Sequence, residues 1–166
     1  MKPVLTLADI SFADVVSLFS RYDLQLHLVE DNAPIPGSYW GEPEAGIIGS
    51  VIHARTDTPV HSVLHEASHL IVLKPARRAS VHTDATDSAE EEDAVCVLQS
   101  LLGDALPGVG GARILADMDA WGYTFRLGSA SAYVQYDAQS AWEWLRDHGL
   151  VSPARRLLLP PRYDQC

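Results

Sequence analysis

The chain has 166 residues, 47% hydrophobic and 20% charged, the balance of one folded domain and not of a disordered segment. Its formal net charge of −10 repels phosphate backbones, which argues against direct nucleic-acid binding and favours basic partners. Two cysteines, Cys96 and Cys166, make no disulfide framework, no signal-peptide core follows Met1 and no apolar run reaches bilayer length, so the reducing cytoplasm is the expected compartment and no membrane partner is expected.

Ser11 is placed to cap a first helix whose Phe12, Val15, Val16 and Phe19 share a face, ending near Tyr22. Leu24, Leu26 and Leu28 alternate with polar residues, as in a half-buried strand. The Pro- and Gly-rich stretch 31–46 reads as a loop anchored by Tyr39 and Trp40. Gly49-Ser50 between Ile47-Ile48 and Val51-Ile52 predicts a type II′ hairpin, its second strand running through His53 and Arg55. Thr58 as N-cap and Pro59 as first helical residue then open a helix carrying Val60, Val63, Leu64, Ala67 and Ile71 up to Pro75.

Residues 75–87 read as a polar connection containing Arg77, Arg78, His82, Asp84 and Asp87. Ser88 begins the next helix, with Ala94, Val95, Leu98, Leu101 and Leu102 on one face, and Pro107 to Gly111 breaks it. A short helix follows around Leu115, Met118 and Trp121. Residues 123–136 fit strand and helix equally, and a last helix spans about Asp137 to His148 with Gly149 as its stop. The end, from residue 152 to 166, is Arg- and Pro-rich and reads as a C-terminal strap. The predicted class is α+β: a small sheet, two central helices and a helical C-terminal part within one domain, 1–166.

The chemistry concentrates in His65-Glu66-Ala67-Ser68-His69, an H-E-x-x-H run inside a predicted helix. Residues four apart share a helical face, so both imidazoles can reach one divalent ion; the rival reading is a buried histidine pair bonded to backbone and carboxylates. Glu66 stands next to that ion and is the candidate catalytic base of a hydrolase. A chain this long needs no metal to stabilise its core, so such a site is read as chemistry.

A third ligand must come from elsewhere. With Glu91 placed at 0° on a helical wheel, Val95 falls at about 40°, Leu98 at about 340°, Leu102 at about 20° and Ala94 at about 300°. Glu91 thus shares the apolar stripe, where a carboxylate needs a compensating charge, and is the expected third ligand. Its rival role is a capping box with Ser88. Glu92, at about 100°, is the fallback ligand.

Other candidates are weaker. His82 is thirteen residues beyond His69, in a polar loop, and is expected to be solvated or a substrate contact. His61 shares the face of His65 and is expected to be half-exposed. His53 points toward the site or away according to strand register. Arg77 and Arg78 are expected to be a solvated pair at a helix end. One of Trp142 and Trp144 belongs to the core. Ser68 and Cys96 have no neighbouring base pattern that would make them nucleophiles.

The block from His65 to His69, then Pro75-Ala76-Arg77-Arg78, a carboxylate helix, and the ending Gly149-Leu150-Val151-Ser152-Pro153-Ala154-Arg155-Arg156 resembles the elongation factor P hydroxylase family, loosely from Phe12 to Arg156. The resemblance implies a metal-dependent, hydroxylase-like oxidoreductase with His65, His69 and Glu91 on the metal, acting on a modified lysine of a translation factor. More distantly, hairpin, HExxH helix and Glu helix look like zincin-like small gluzincins, including ImmA/IrrE-type metallopeptidases. There the same positions would hold zinc, Glu66 would be general base, and the substrate would be a protein or peptide. Iron and zinc both suit two imidazoles and a carboxylate. A third option is a non-catalytic zincin-like binding domain with a closed site. The oligomeric state is not legible.

Overall fold

The computed structural model describes residues 3–85 and 88–163. Asp87, at the end of the expected connection, and Cys166 in the strap lie outside the described residues. The architecture is α+β with a small three-stranded sheet.

Helix α1, Phe12–Ser20, starts where the Ser11 hydroxyl accepts the Asp14 N–H at 3.3 Å. It buries Val15, Leu18 and Phe19 and turns Val16 outward. Strands β1 (Gln25–Leu28), β2 (Gly46–Ile48) and β3 (Val51–Ala54) are ordered β1-β3-β2, with β1 parallel and β2 antiparallel to the central β3. Between Ile48 and Val51 only Gly49 of the two loop residues has positive φ, at 60°, as the expected type II′ turn requires. Ile47 and Ile52 bury fully, while β1 exposes Gln25 and His27.

Helix α2, Val60–Val72, runs through the centre and buries residues all round its circumference. Its start corrects the expected cap. Pro59 keeps an extended ψ of 139° and is itself the N-cap position, so the helix opens one residue later. The Thr58 hydroxyl instead accepts the Arg55 N–H at 2.9 Å and closes the preceding turn.

The connection after α2 coils into a 3-10 helix, Pro75–Ser80, and buries one of its arginines. Arg78, expected in solvent, is 1% exposed. Its guanidinium donates to the Leu70 carbonyl at 2.8 Å, the Tyr22 carbonyl at 2.7 Å and the Tyr163 hydroxyl at 2.9 Å. The fork of fixed donors thereby ties together the ends of α1 and α2 and the C-terminal strap. Arg77 stays exposed as expected.

Helix α3, Ala89–Asp104, lies along α2, with α4 (Gly111–Trp121) and α6 (Gln139–Asp147) packed on its other sides. Of the ambiguous stretch 123–136, residues 123–129 are turns and irregular backbone, and the rest is helical: α5, Ala130–Ala132, capped by Ser129, runs into a π-turn over Tyr133–Asp137. Gly149, with φ 74°, follows α6. Trp142 is the buried one of the tryptophan pair. The described part of the strap packs: Leu158 N–H donates to the Leu150 carbonyl, Arg162 N–H to that of Gly149, and the Tyr163 hydroxyl to that of Ile71.

The loop before β2 differs from expectation. Tyr39 and Trp40 anchor nothing; they are 62% and 78% exposed and meet edge to face. The anchor is Arg55, which donates to Glu42 at 2.6 Å and to the Ala33 carbonyl at 3.0 Å.

Candidate metal centre

Residues His65 and His69, one turn apart on α2, face the first turn of α3 across the helix pair. His65 Nε2 lies 3.3 Å from Glu92 Oε1, and His69 Nε2 lies 3.2 Å from Glu92 Oε2. The two Nε2 atoms are 3.2 Å apart. One ligand atom from each of the three side chains falls within 4.8 Å of the others, so the group can hold a metal ion. Four donors held tetrahedrally at about 2.0–2.1 Å from an ion stand about 3.3 Å from one another. The two Nε2 atoms stand at about that spacing, and so does each Nε2 with its own oxygen of Glu92, the imidazoles meeting different oxygens of the one carboxylate.

Electrostatics agrees with cation binding. Burial pushes the His69 imidazole down to about 4, and the charge of His65 adds to that. Burial also opposes charge on His65, but the hydrogen bond with Glu92 and the nearby Glu66 carboxylate hold it above its ordinary value. Burial would neutralise Glu92, yet its bond with His65 and the field of His69 keep it below the usual carboxylate range. His69 is thus held neutral beside an ionised Glu92, and a neutral imidazole with a carboxylate suits a cation.

Glu66 is half-buried beside this group. Burial pushes its carboxyl up to about 7, against the pull of His65, and Glu92, Glu44 and Asp84 raise it further. A carboxyl that titrates near neutral pH is suited to take and return a proton.

Two clefts meet at the group. The larger, about 480 Å³, runs past Trp40, Glu44, Trp121 and Tyr123. The smaller, about 260 Å³, runs past Tyr39, Thr83, Asp84 and Ala85. His65, Glu66, Glu92 and Trp40 line both. The Trp121 indole N–H donates to Glu44 at 2.6 Å and fixes one wall. Tyr123 reaches that wall because α4 ends at Gly122, whose φ of 107° turns the chain while Tyr123 N–H returns to the Met118 carbonyl.

The carboxylate in the group is Glu92, the fallback; Glu91, the expected third ligand, lies outside it. Helix α3 is covered by α2, α4 and α6, so its apolar stripe does not single out the side that faces the histidines. Ser88 caps α3 by accepting the Glu91 N–H at 3.4 Å, half of the rival capping box. His61, expected half-exposed, is fully buried and sits 3.4 Å from the Tyr123 hydroxyl. His53 meets the His27 ring at a tilt, and His82 bonds the Thr83 hydroxyl; neither joins the group. Ser68 is buried, and burial pushes the Cys96 thiol up to about 12, which suits neither to nucleophilic attack.

Sequence reasoning missed Gln99, Tyr123, Trp121 and Glu44. Gln99 carried a signal: it is seven residues beyond Glu92 and so on the same helical face. Its Oε1 lies 3.0 Å from His65 Nδ1. The other three come from two segments, one around Glu44 and one around Trp121 and Tyr123, far from α2 and α3 in the chain, and had none.

No protein-family description, curated protein or solved structure matches this chain. No helix among the described residues is long and apolar enough to cross a membrane.

Proposed function

We propose that this chain is a metal-dependent enzyme with one divalent ion between His65, His69 and Glu92. The observation that carries the reading is the close group of donors at the meeting of two open clefts: the two imidazole Nε2 atoms lie 3.2 Å apart, and each lies 3.2–3.3 Å from its own oxygen of Glu92. A bound ion supplies Lewis acidity and, if it is iron, oxygen chemistry. The open clefts argue against a purely structural ion, whose shell would be closed.

The first reaction is hydroxylation of a protein side chain, as the sequence resemblance implies. Glu44, Glu66 and Asp84 around the clefts suit a cationic, lysine-like group. In this reading Glu66 orients the substrate. The second reaction is peptide hydrolysis, favoured by one observation: Glu66 lines both clefts beside the three donors, where burial pushes its carboxyl up to about 7. There Glu66 takes a proton from the attacking water and passes it to the leaving amine.

Elemental analysis of the purified protein, with oxygen uptake and casein cleavage, tests the proposal. Bound iron with substrate-dependent oxygen uptake supports hydroxylation. Zinc with casein cleavage that Glu66→Gln abolishes replaces it by hydrolysis. One tight ion retained after His65→Ala with His69→Ala overturns the site.

A further inference from the structure

Gln99 is fully buried, so water cannot satisfy its amide and the protein must. Its Nε2 donates to the His61 carbonyl at 2.6 Å. A backbone carbonyl only accepts, which fixes the amide: the NH₂ end faces His61 and the oxygen faces His65 Nδ1 at 3.0 Å. Flipping the amide would set oxygen against oxygen at 2.6 Å. The amide oxygen cannot donate, so the contact with His65 requires a hydrogen on Nδ1. A neutral imidazole has one N–H. In the neutral ring Nε2 therefore carries the lone pair; in the charged ring it holds the second proton, which faces Glu92 at 3.3 Å and which a metal ion would displace.

We propose that Gln99 is the positioning residue that keeps a hydrogen on His65 Nδ1, so that Nε2 is the nitrogen left to bind a metal ion. The inference rests on the reading of His65, His69 and Glu92 as a metal centre. His69 lacks such control: its buried Nδ1 has no hydrogen-bond partner among the described residues. Gln99 also clips two successive turns of α2, bonding His61 and His65 at once. Because Glu92 and Gln99 share one face of α3, that helix supplies both a ligand and the group that prepares a second ligand. An acceptor on the far nitrogen also makes the ligating nitrogen more basic.

The test uses the full chain, ¹⁵N-labelled and metal-free, at a pH where His65 is neutral. Long-range ¹H–¹⁵N spectra read the tautomer, and titration with zinc against a chromophoric chelator reads affinity. Wild type is expected to show His65 as Nδ1–H. Gln99→Leu is expected to lose that form and bind zinc ten- to a hundredfold more weakly. Gln99→Glu, whose carboxylate accepts from Nδ1–H, is expected to restore the tautomer and move affinity back toward wild type. An Nε2–H form in wild type overturns the proposal, whether or not the variants fold. Unchanged zinc affinity in Gln99→Leu overturns the positioning role alone. A wild type with the Nδ1–H form and no zinc binding overturns the metal reading and the positioning role with it.

Discussion

Glu92 and Gln99 stand two turns apart on one face of α3 and reach opposite nitrogens of the same imidazole: Glu92 Oε1 lies 3.3 Å from His65 Nε2 and Gln99 Oε1 lies 3.0 Å from His65 Nδ1. His65 is thereby held from both sides by a single helix. The consequence is that a rotation of α3 by one residue would break both contacts together.

The carboxylates of the first turn of α3 should separate cleanly. Glu92→Gln is expected to weaken zinc binding by a hundredfold or more, since losing even an indirect support typically costs ten- to a hundredfold. Glu91→Gln is expected to change it little, because the Glu91 side chain is outside the group. Competition titration against a chelator of known affinity measures both.

Glu66→Gln is expected to keep the full complement of metal, because Glu66 is not among the three donors. If hydrolysis is the reaction, turnover falls by about 10²–10⁴, the usual worth of general base catalysis. Metal content by mass spectrometry, read beside casein cleavage, checks both parts.

Stability of the metal-free protein should fall in acid through His61. Burial pushes this imidazole down from 6.5 to about 4, against the pull of Asp117 and with a small push from His65. Between those values the unfolded chain binds the proton that the folded chain refuses. The contribution is therefore complete above about pH 6.5 and is lost as pH falls toward 4. Thermal unfolding between pH 4 and 7 measures the slope, and His61→Gln is expected to reduce it by the share of His61, with His69, also pushed down to about 4, still contributing.

Arg78→Met is expected to destabilise the fold by about 3 kcal/mol or more, since three buried acceptors lose charged donors. Arg78→Lys is expected to rescue little: one ammonium on a flexible stem cannot reproduce the planar fork that reaches Leu70, Tyr22 and Tyr163. Urea unfolding midpoints of both variants against wild type check the ranking.

Local rules made much of this molecule legible in the amino-acid sequence. The Ser11 and Ser88 caps, the Gly49 turn and the stop at Gly149 depend on side-chain chemistry and backbone freedom within a few residues. The same holds for His65 and His69, because an i, i+4 pair shares a face in any helix. The choice of Glu92 over Glu91 was not local. It depends on which side of α3 meets α2, and a helix packed on three sides buries residues in nearly every direction, so hydrophobic periodicity loses its phase. Arg78 shows the same limit: its acceptors come from residues 22, 70 and 163, and only the packed chain assembles them. The clefts, walled by Trp40 from one loop and by Trp121 and Tyr123 from the end of α4, exist only once the tertiary structure has set those segments around the two helices.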